Sequence, residues 1–173
     1  MKKIFFYAAV LAVLSACSNS SQHQHDTAAT DTSHAGHDHS AMTEAKDTTA
    51  ILPTQKVFFA NLKDSQTIKL PFIIKFGVEG MEVKPAMGVE PNVGHHHLMV
   101  DQGAIPAGSM VPMQKEAEGY FHFGKGQLQD TLQLKKYAML TPGYHTLTLQ
   151  FANSVHLSYG PAMSKTITVM VKK

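Results

Sequence analysis

The 173-residue chain contains a single cysteine and neither arginine nor tryptophan. One cysteine excludes an internal disulfide, so neither folding nor function depends on a sulfur crosslink. All 15 basic residues are lysine. Removal of the leader described below would take away Lys2 and Lys3 and leave 13 lysines against 13 acids. Nucleic-acid binding favours a basic face, usually with arginine, so this partner class is set aside. No stretch shows a helical 3.6-residue hydrophobic period, which favours a β-rich protein.

The first 16 residues predict a lipoprotein signal peptide. Lys2 and Lys3 precede the apolar run Ile4–Val13, which is too short to span a membrane as a helix. The run leads into Leu14-Ser15-Ala16-Cys17, which resembles the bacterial lipobox, in which the cysteine is acylated and becomes the new N-terminus. The alternative is an ordinary secretory signal with an incidental cysteine. We predict lipidation of Cys17 and anchoring in the bacterial cell envelope, at the outer membrane facing the periplasm, because lipid chains hold a protein to a membrane without a spanning helix.

Residues 17–50 predict a disordered, histidine-rich tether that begins at the lipidated cysteine. The segment has no hydrophobic period, and its only large apolar residue is Met42, so burial cannot offset the entropy of ordering it. Histidines in such a tract indicate metal capture, with weak selectivity because a flexible chain cannot impose geometry. The alternative is a solvated spacer that happens to be rich in histidine. The tail residues predicted to capture metal are His23, His25, His34, His37 and His39.

Residues 51–173 predict one all-β domain. About 120 residues are enough for a single hydrophobic core. Short apolar or alternating runs, separated by clusters of glycine and proline, are typical of an antiparallel, immunoglobulin-like β-sandwich of about seven strands. Pro71 marks a bulge, an edge or a break inside the second run. The predicted strands are 55–60, 67–78, 95–101, 120–123, 131–134, 144–152 and 165–171.

Three consecutive histidines, His95-His96-His97, open the third predicted strand and are the most informative motif of the domain. The strand period of two places His95, His97 and Met99 on one face and His96 on the other. The face that carries His96 also carries Leu98 and Val100, so it should turn toward the core, with His96 half-buried and hydrogen-bonded to backbone. His95 and His97 would lie about 7 Å apart along the strand, which suits two ligands of one ion.

Three more histidines lie in the body of the domain. His122 alternates with two phenylalanines and joins the outward polar surface, whereas His156 precedes a turn and could cap either surface. His145 lies on an apolar face and is better explained as a satisfied core-edge residue than as a ligand, and Asp101 could orient a histidine. The predicted metal ligands are His95, His97, His122 and His156, and the candidate additional ligands or supporting groups are His96, His145, Met99 and Asp101.

The order of several motifs resembles the bacterial domain-of-unknown-function family 4399. The resemblance rests on Gly94-His95-His96-His97-Leu98, His122-Phe123-Gly124-x-Gly126-Gln127 and Pro142-Gly143-x-His145-Thr146-Leu147, with Met81, Pro85-Ala86 and the closing His156…Pro161…Ser164-Lys165-x-Ile167. It covers about residues 70–171. The resemblance implies an envelope-exported protein without a settled activity, in which the matching histidines are signature positions of the family.

The combined prediction is a lipid-anchored envelope protein that binds a transition metal, copper first and zinc second. Imidazole suits zinc, copper and nickel, and a methionine could complete a copper site. The alternative is an envelope binding or structural module without metal, in which the histidines form a hydrogen-bonded polar cluster. The sequence contains no recognisable catalytic motif: no nucleophile elbow, His-Glu-x-x-His or phosphate loop occurs, so an enzyme is not predicted. No protein partner can be named from the sequence.

Overall fold

The computed structural model describes residues 50–113 and 115–173, and the predictions for Cys17 and the five tail histidines lie outside this part of the chain. Nine strands and two short 3-10 helices make up the described domain. Within it, no helix has both the length and the apolar character that crossing a membrane would require. The strands are β1 Lys56–Phe59, β2 Gln66–Lys69, β3 Phe72–Glu79, β4 Glu82–Val83, β5 Val93–Val100, β6 Tyr120–His122, β7 Gln129–Leu132, β8 Gly143–Ala152 and β9 Ser164–Lys172, and the 3-10 helices are Glu116–Glu118 and Pro161–Met163.

Two sheets contribute to one hydrophobic core. The smaller sheet has the order β1-β3-β7, and the larger has the order β2-β9-β8-β5-β4, with β6 also paired to β5; one of the two curls into a half-barrel. Alternate residues face the core, so Ile74 and Phe76 of β3 belong to the same buried cluster as Leu98 of β5 and Leu147 and Leu149 of β8. The all-β prediction is therefore confirmed.

The strand count and strand directions depart from the predicted arrangement. The second predicted run is divided at Pro71 into β2 and β3, and the two-residue β4 has no hydrophobic pattern that would reveal it. The pairs β2–β9 and β4–β5 are parallel, which contradicts the expectation of a wholly antiparallel sandwich. Strands β2 and β9 are distant along the chain, whereas β4 and β5 are separated by only the nine residues 84–92, and neither pair is joined by a tight turn. Local turn signals in the sequence therefore could not indicate either pair.

Strand β5, which carries the histidine triplet, is buried on both faces. It lies between β8 and the pair β4 and β6, and all eight of its residues are buried. One face packs in the core through Leu98 and Val100. At its start, β5 approaches β8 so closely that a Cβ at Gly94 would lie 2.2 Å from the carbonyl oxygen of Ala152. A two-faced burial of this kind is unusual for an antiparallel strand and requires a cover over the second face.

The cover over the second face comes from the segments that follow β5 and β8. Gln150, which is fully buried on this face of β8, accepts a hydrogen bond from the backbone N–H of Ile105 and donates one to the carbonyl oxygen of Gly160. Val111 is fully buried in the same loop, and its N–H donates to the carbonyl oxygen of His156. On the outer face, buried polar side chains therefore hydrogen-bond to the backbone of the covering segments, where an apolar core would rely on packing alone.

Candidate metal centre

Two histidines of β5 form the buried base of a cluster. His95 and His97 are two residues apart, so both side chains point away from the core, and their side chains are 0% and 1% exposed. In the register between β5 and β6, His97 lies directly opposite His122. Strand pairing therefore brings the third imidazole beside the first two. The predicted shared face for these three residues is present, but it is buried or half-buried rather than an outward polar surface.

A glycine leaves the space that the His122 ring occupies. A Cβ at Gly124 would lie 2.2 Å from both Cε1 and Nε2 of His122, which is far inside van der Waals contact. A side chain at position 124 would therefore displace the imidazole from its place in the cluster. This role of Gly124 was not predicted, although the glycine follows the histidine by two residues.

The fourth histidine reaches the cluster from a tight turn. His156 has a left-handed backbone with a φ of 68°, and its N–H donates to the carbonyl oxygen of Asn153. The side-chain oxygen of Asn153 accepts hydrogen bonds from the N–H groups of Val155 and Leu157, at 3.1 and 2.9 Å. Histidine, like asparagine, is enriched among the residues that adopt this conformation. Asn153, which fixes the turn that presents His156, was not among the predicted site residues.

The Nε2 atoms of His95, His97 and His122 lie close together, and that of His156 joins them through His122. Nε2 of His95 lies 3.1 Å from that of His97 and 3.2 Å from that of His122, and Nε2 of His122 lies 3.1 Å from that of His156. Ligand atoms of His95, His97 and His122 all lie within 4.8 Å of one another. Four nitrogens bound tetrahedrally at about 2.0–2.1 Å from an ion would be about 3.3–3.4 Å apart. The three neighbour distances are a few tenths of an ångström shorter than this, and the group of mutually close ligand atoms consists of His95, His97 and His122.

Burial keeps these imidazoles neutral near physiological pH. Desolvation is the largest cause for each of the four, and it lowers the pKa of His95 to about 3 and that of His97 well below the ordinary value of 6.5. The neighbouring imidazoles lower both values further because two positive rings would repel. The pKa values of His122 and His156 are also lowered by desolvation. A neutral imidazole offers a lone pair, which is the form that binds a metal ion.

The cluster is built from neutral groups only. Its members among the described residues are all histidines, and the single acid that acts on the site is Glu116, which raises the pKa of His122. The Nδ1 atoms of His95 and His97 are buried and have no hydrogen-bond partner in the described part of the chain. Packing within the sheet, rather than a carboxylate or carbonyl on the second ring nitrogen, therefore orients these two rings.

The structure does not bring the other candidate residues into the cluster. His96 points to the opposite face, where its ring contacts Phe76 and Phe151 at centroid distances of 5.5 and 5.1 Å. It is fully buried rather than half-buried. Its pKa is lowered to about 4, because desolvation outweighs the opposing effect of backbone groups of Gly77 and Gln127. Neither ring nitrogen has a hydrogen-bond partner of ordinary geometry in the described part of the chain.

His145 and Asp101 form a pair of their own. Nδ1 of His145 lies 2.8 Å from a carboxylate oxygen of Asp101, and Nε2 lies 2.8 Å from the carbonyl oxygen of Thr141. The other carboxylate oxygen of Asp101 accepts from the N–H of Thr146. Both ring nitrogens of His145 are thus used by oxygen partners, and Asp101 orients His145 rather than a cluster histidine. A groove of about 450 Å³ next to this pair, lined by Asp101 and Tyr120 among others, contains none of the four cluster histidines.

Met99 follows His97 on the same face of β5, as predicted, and is fully buried opposite Tyr120 and Thr148. Three methionines, Met87, Met110 and Met113, have exposed side chains in loops.

Comparison with known proteins gives two matches to family models. Residues 74–172 match a model described as Domain of unknown function (DUF4399), and residues 1–18 match the prokaryotic membrane lipoprotein lipid attachment site. No curated protein and no solved structure matches the chain. The first match spans β3 to β9 and includes all four histidines of the cluster. The second includes Cys17, the predicted acylation site.

Proposed function

Since the chain belongs to the DUF4399 family and is a prokaryotic lipoprotein anchored to a membrane by lipid, we propose that it is an envelope protein that binds one transition metal ion in its β domain. The ligands are the Nε2 atoms of the four cluster histidines. In this proposal the anchor lies in the outer membrane and the domain faces the periplasm. The histidine-rich tail captures ions, and the domain holds them or passes them on. The ligands are His95, His97, His122 and His156.

The observation that carries the proposal is that the Nε2 atoms of His97, His95, His122 and His156 follow one another at 3.1–3.2 Å, with ligand atoms of the first three all within 4.8 Å of one another. An imidazole nitrogen has one in-plane site, occupied either by a proton or by a lone pair. Nε2 of His95 faces two other nitrogens, and so does Nε2 of His122. A single site cannot make two linear hydrogen bonds, whereas one ion can accept lone pairs from several imidazoles at once.

The donor set supports copper first and zinc second. Four imidazole nitrogens without carboxylate or thiolate suit zinc, copper and nickel rather than the hard cations. Zinc prefers four ligands in a tetrahedral arrangement, which four imidazole nitrogens can supply. Neutral ligands leave the full charge of the ion in a buried place, and the desolvation penalty grows with the square of that charge. Monovalent copper is therefore favoured over a divalent ion where the oxidation state allows it.

The second candidate function is a structural module in which the same nitrogens form a hydrogen-bonded polar cluster. The observation that favours it is that 3.1–3.2 Å is also within hydrogen-bond range for two imidazoles of complementary tautomers. In that case the histidines hold the covering loops on β5 and bind no ion.

Metal titration separates the two functions. The tail would bind metal independently, so the experiment uses the mature chain without lipid and with the five tail histidines changed to serine. We expect about one Zn(II) or Cu(I) per chain, and His97→Ala should weaken binding by an order of magnitude or more because it removes a buried ligand. His145→Ala is the matched control, since both nitrogens of His145 are used outside the cluster. Absence of binding at micromolar metal would leave the polar cluster as the function.

A further inference from the structure

We propose that the ion enters and leaves through the His156 turn, residues 153–157, and that Met87 and Met110, on the two flanks of this turn, bind Cu(I) in transit. The proposal rests on the metal site described above and adds the route and the oxidation state of the cargo. Both methionines are exposed, to 76% and 62%.

The four ligands differ in how firmly the fold holds them. His95 and His97 are fully buried on a strand that is hydrogen-bonded on both sides. His156 is half-buried, belongs to no strand, and contacts the nitrogens of the cluster only through His122, at 3.1 Å. Displacing His156 disturbs one turn, whereas displacing His97 disturbs the sheet. His156 is therefore the ligand that can open the site.

Met110 lies on one flank of this turn. It forms an isolated antiparallel bridge with Leu157, the residue that follows His156. The N–H of the next residue, Val111, donates to the carbonyl oxygen of His156 itself. Because paired residues in such a bridge have Cα atoms about 5 Å apart, the Met110 side chain begins within reach of the turn.

Met87 lies on the other flank. The hydroxyl of Ser154 donates to the carbonyl oxygen of Gly88, the neighbour of Met87. The N–H of Ala86 donates to the carbonyl oxygen of Gly124, the residue that makes room for the His122 ring. The loop that carries Met87 is thus tied to both half-buried ligands of the cluster.

Thioether sulfur is a soft ligand that suits Cu(I) and is a poor ligand for Zn(II). Methionine is normally used inside proteins to fill irregular gaps, so two side chains exposed this far at the mouth of a metal site are not explained by packing. Weak, exposed sulfur ligands next to a displaceable imidazole can accept an ion by ligand exchange without releasing it to water. The chemistry therefore points to Cu(I) as the ion that travels this route.

Transfer kinetics test the route. The mature chain with tail histidines changed to serine is loaded anaerobically with Cu(I) or with Zn(II), and release to an excess of a coloured chelator is followed. Met87→Leu combined with Met110→Leu keeps size and apolar character but removes both sulfurs. We expect severalfold slower Cu(I) release and unchanged Zn(II) release. Met139→Leu, which lies by the groove next to Asp101, is the matched control and should leave both rates unchanged.

A second variant tests the opening ligand. His156→Asn removes the imidazole but tolerates the left-handed backbone at this position. We expect faster release of both ions and weaker binding, yet a smaller loss of affinity than His97→Ala causes.

The outcomes separate the route from the site. A double methionine variant that releases Cu(I) at the wild-type rate, or that slows Zn(II) equally, overturns the role of sulfur. If the His156→Asn variant releases metal at the wild-type rate, the proposal that His156 is the ligand that opens the site is overturned. A wild-type chain that binds neither ion overturns the metal site itself, and the route with it.

Discussion

At the scale of single residues, the cluster depends on one position that carries no side chain. Gly124 leaves the volume that the His122 imidazole fills, since an added Cβ would lie 2.2 Å from two ring atoms. We expect Gly124→Ala to turn the ring away and to reduce metal affinity by about tenfold or more, the size of effect seen when the support of a ligand is lost. Metal titration of the variant checks this. Gly103→Ala is the control, because a Cβ there would meet nothing within 4 Å.

His96 gives the complementary prediction on the other face of the same strand. Its ring is fully buried between Phe76 and Phe151 and contacts no cluster nitrogen. We expect His96→Ala to lower the free energy of unfolding by about 2–4 kcal/mol, as other large-to-small core substitutions do, and to leave metal affinity nearly unchanged. Denaturant unfolding and titration of the same sample test both parts. A large loss of affinity with little loss of stability would contradict the assignment of His96 to the core.

At the scale of secondary structure, the His156 turn owes its shape to one buried side chain. Asn153 accepts hydrogen bonds from the N–H groups of Val155 and Leu157. Asn153→Ala removes the acceptor of both, which should cost about 1–3 kcal/mol of stability and hasten metal release by loosening His156. Thermal melts and chelator competition measure the two effects. Ser164→Ala, which removes an exposed hydroxyl bonded to the Pro161 carbonyl oxygen, should change neither.

The alternation of strands explains how much of the site was predictable. A period of two separated His96 from His95 and His97, and it placed His122 opposite its phenylalanine neighbours, so the shared face could be predicted from local sequence. The approach of His156 could not, because it depends on a turn held by Asn153 and on a left-handed backbone. The parallel β2–β9 pairing and the loops that cover β5 also escaped prediction. They join segments distant along the chain, and no local period records which segments meet.

At the scale of the whole molecule, the buried histidines link stability to pH. The pKa of His95 falls from 6.5 when unfolded to about 3 when folded, and those of His97, His122 and His156 are also lowered. Between these values the unfolded chain binds protons that the folded chain does not, so stability is full above about pH 6.5 and is lost as the pH falls below it. Each buried histidine contributes about 1.4 kcal/mol per pH unit within its window.

We therefore expect the melting temperature of the metal-free chain to fall steadily between about pH 6.5 and pH 4. Bound metal should raise the melting temperature at neutral pH and steepen the fall, because protons and metal compete for the same lone pairs. Melts across this range, with and without metal, measure both effects. A melting temperature that does not change with pH would show that the cluster is hydrated and not desolvated.

The attachment of the protein depends on its N-terminal segment. Residues 1–18 match a lipid attachment site, and Cys17 is the only cysteine. We expect Cys17→Ser to leave the protein unacylated and to move it from the membrane to the soluble fraction after cell lysis, or to leave an uncleaved precursor. Fractionation and the mobility of the precursor on a gel distinguish these products. Full retention of a cleaved Cys17→Ser protein in membranes would contradict lipid anchoring through this residue.

The two-sided burial of β5 has a consequence for how the domain reaches its correct alignment. In a strand, a shift of one residue exchanges the two faces. A shifted β5 would bury two histidines among the core aromatics and would present only His96 to His122 and His156. Since an ion held by three imidazoles is bound less tightly than one held by four, metal binding at the proposed site would stabilise the native alignment over its nearest competitor. A metal ion bound by the histidine triplet as proposed would thus select the correct register of β5.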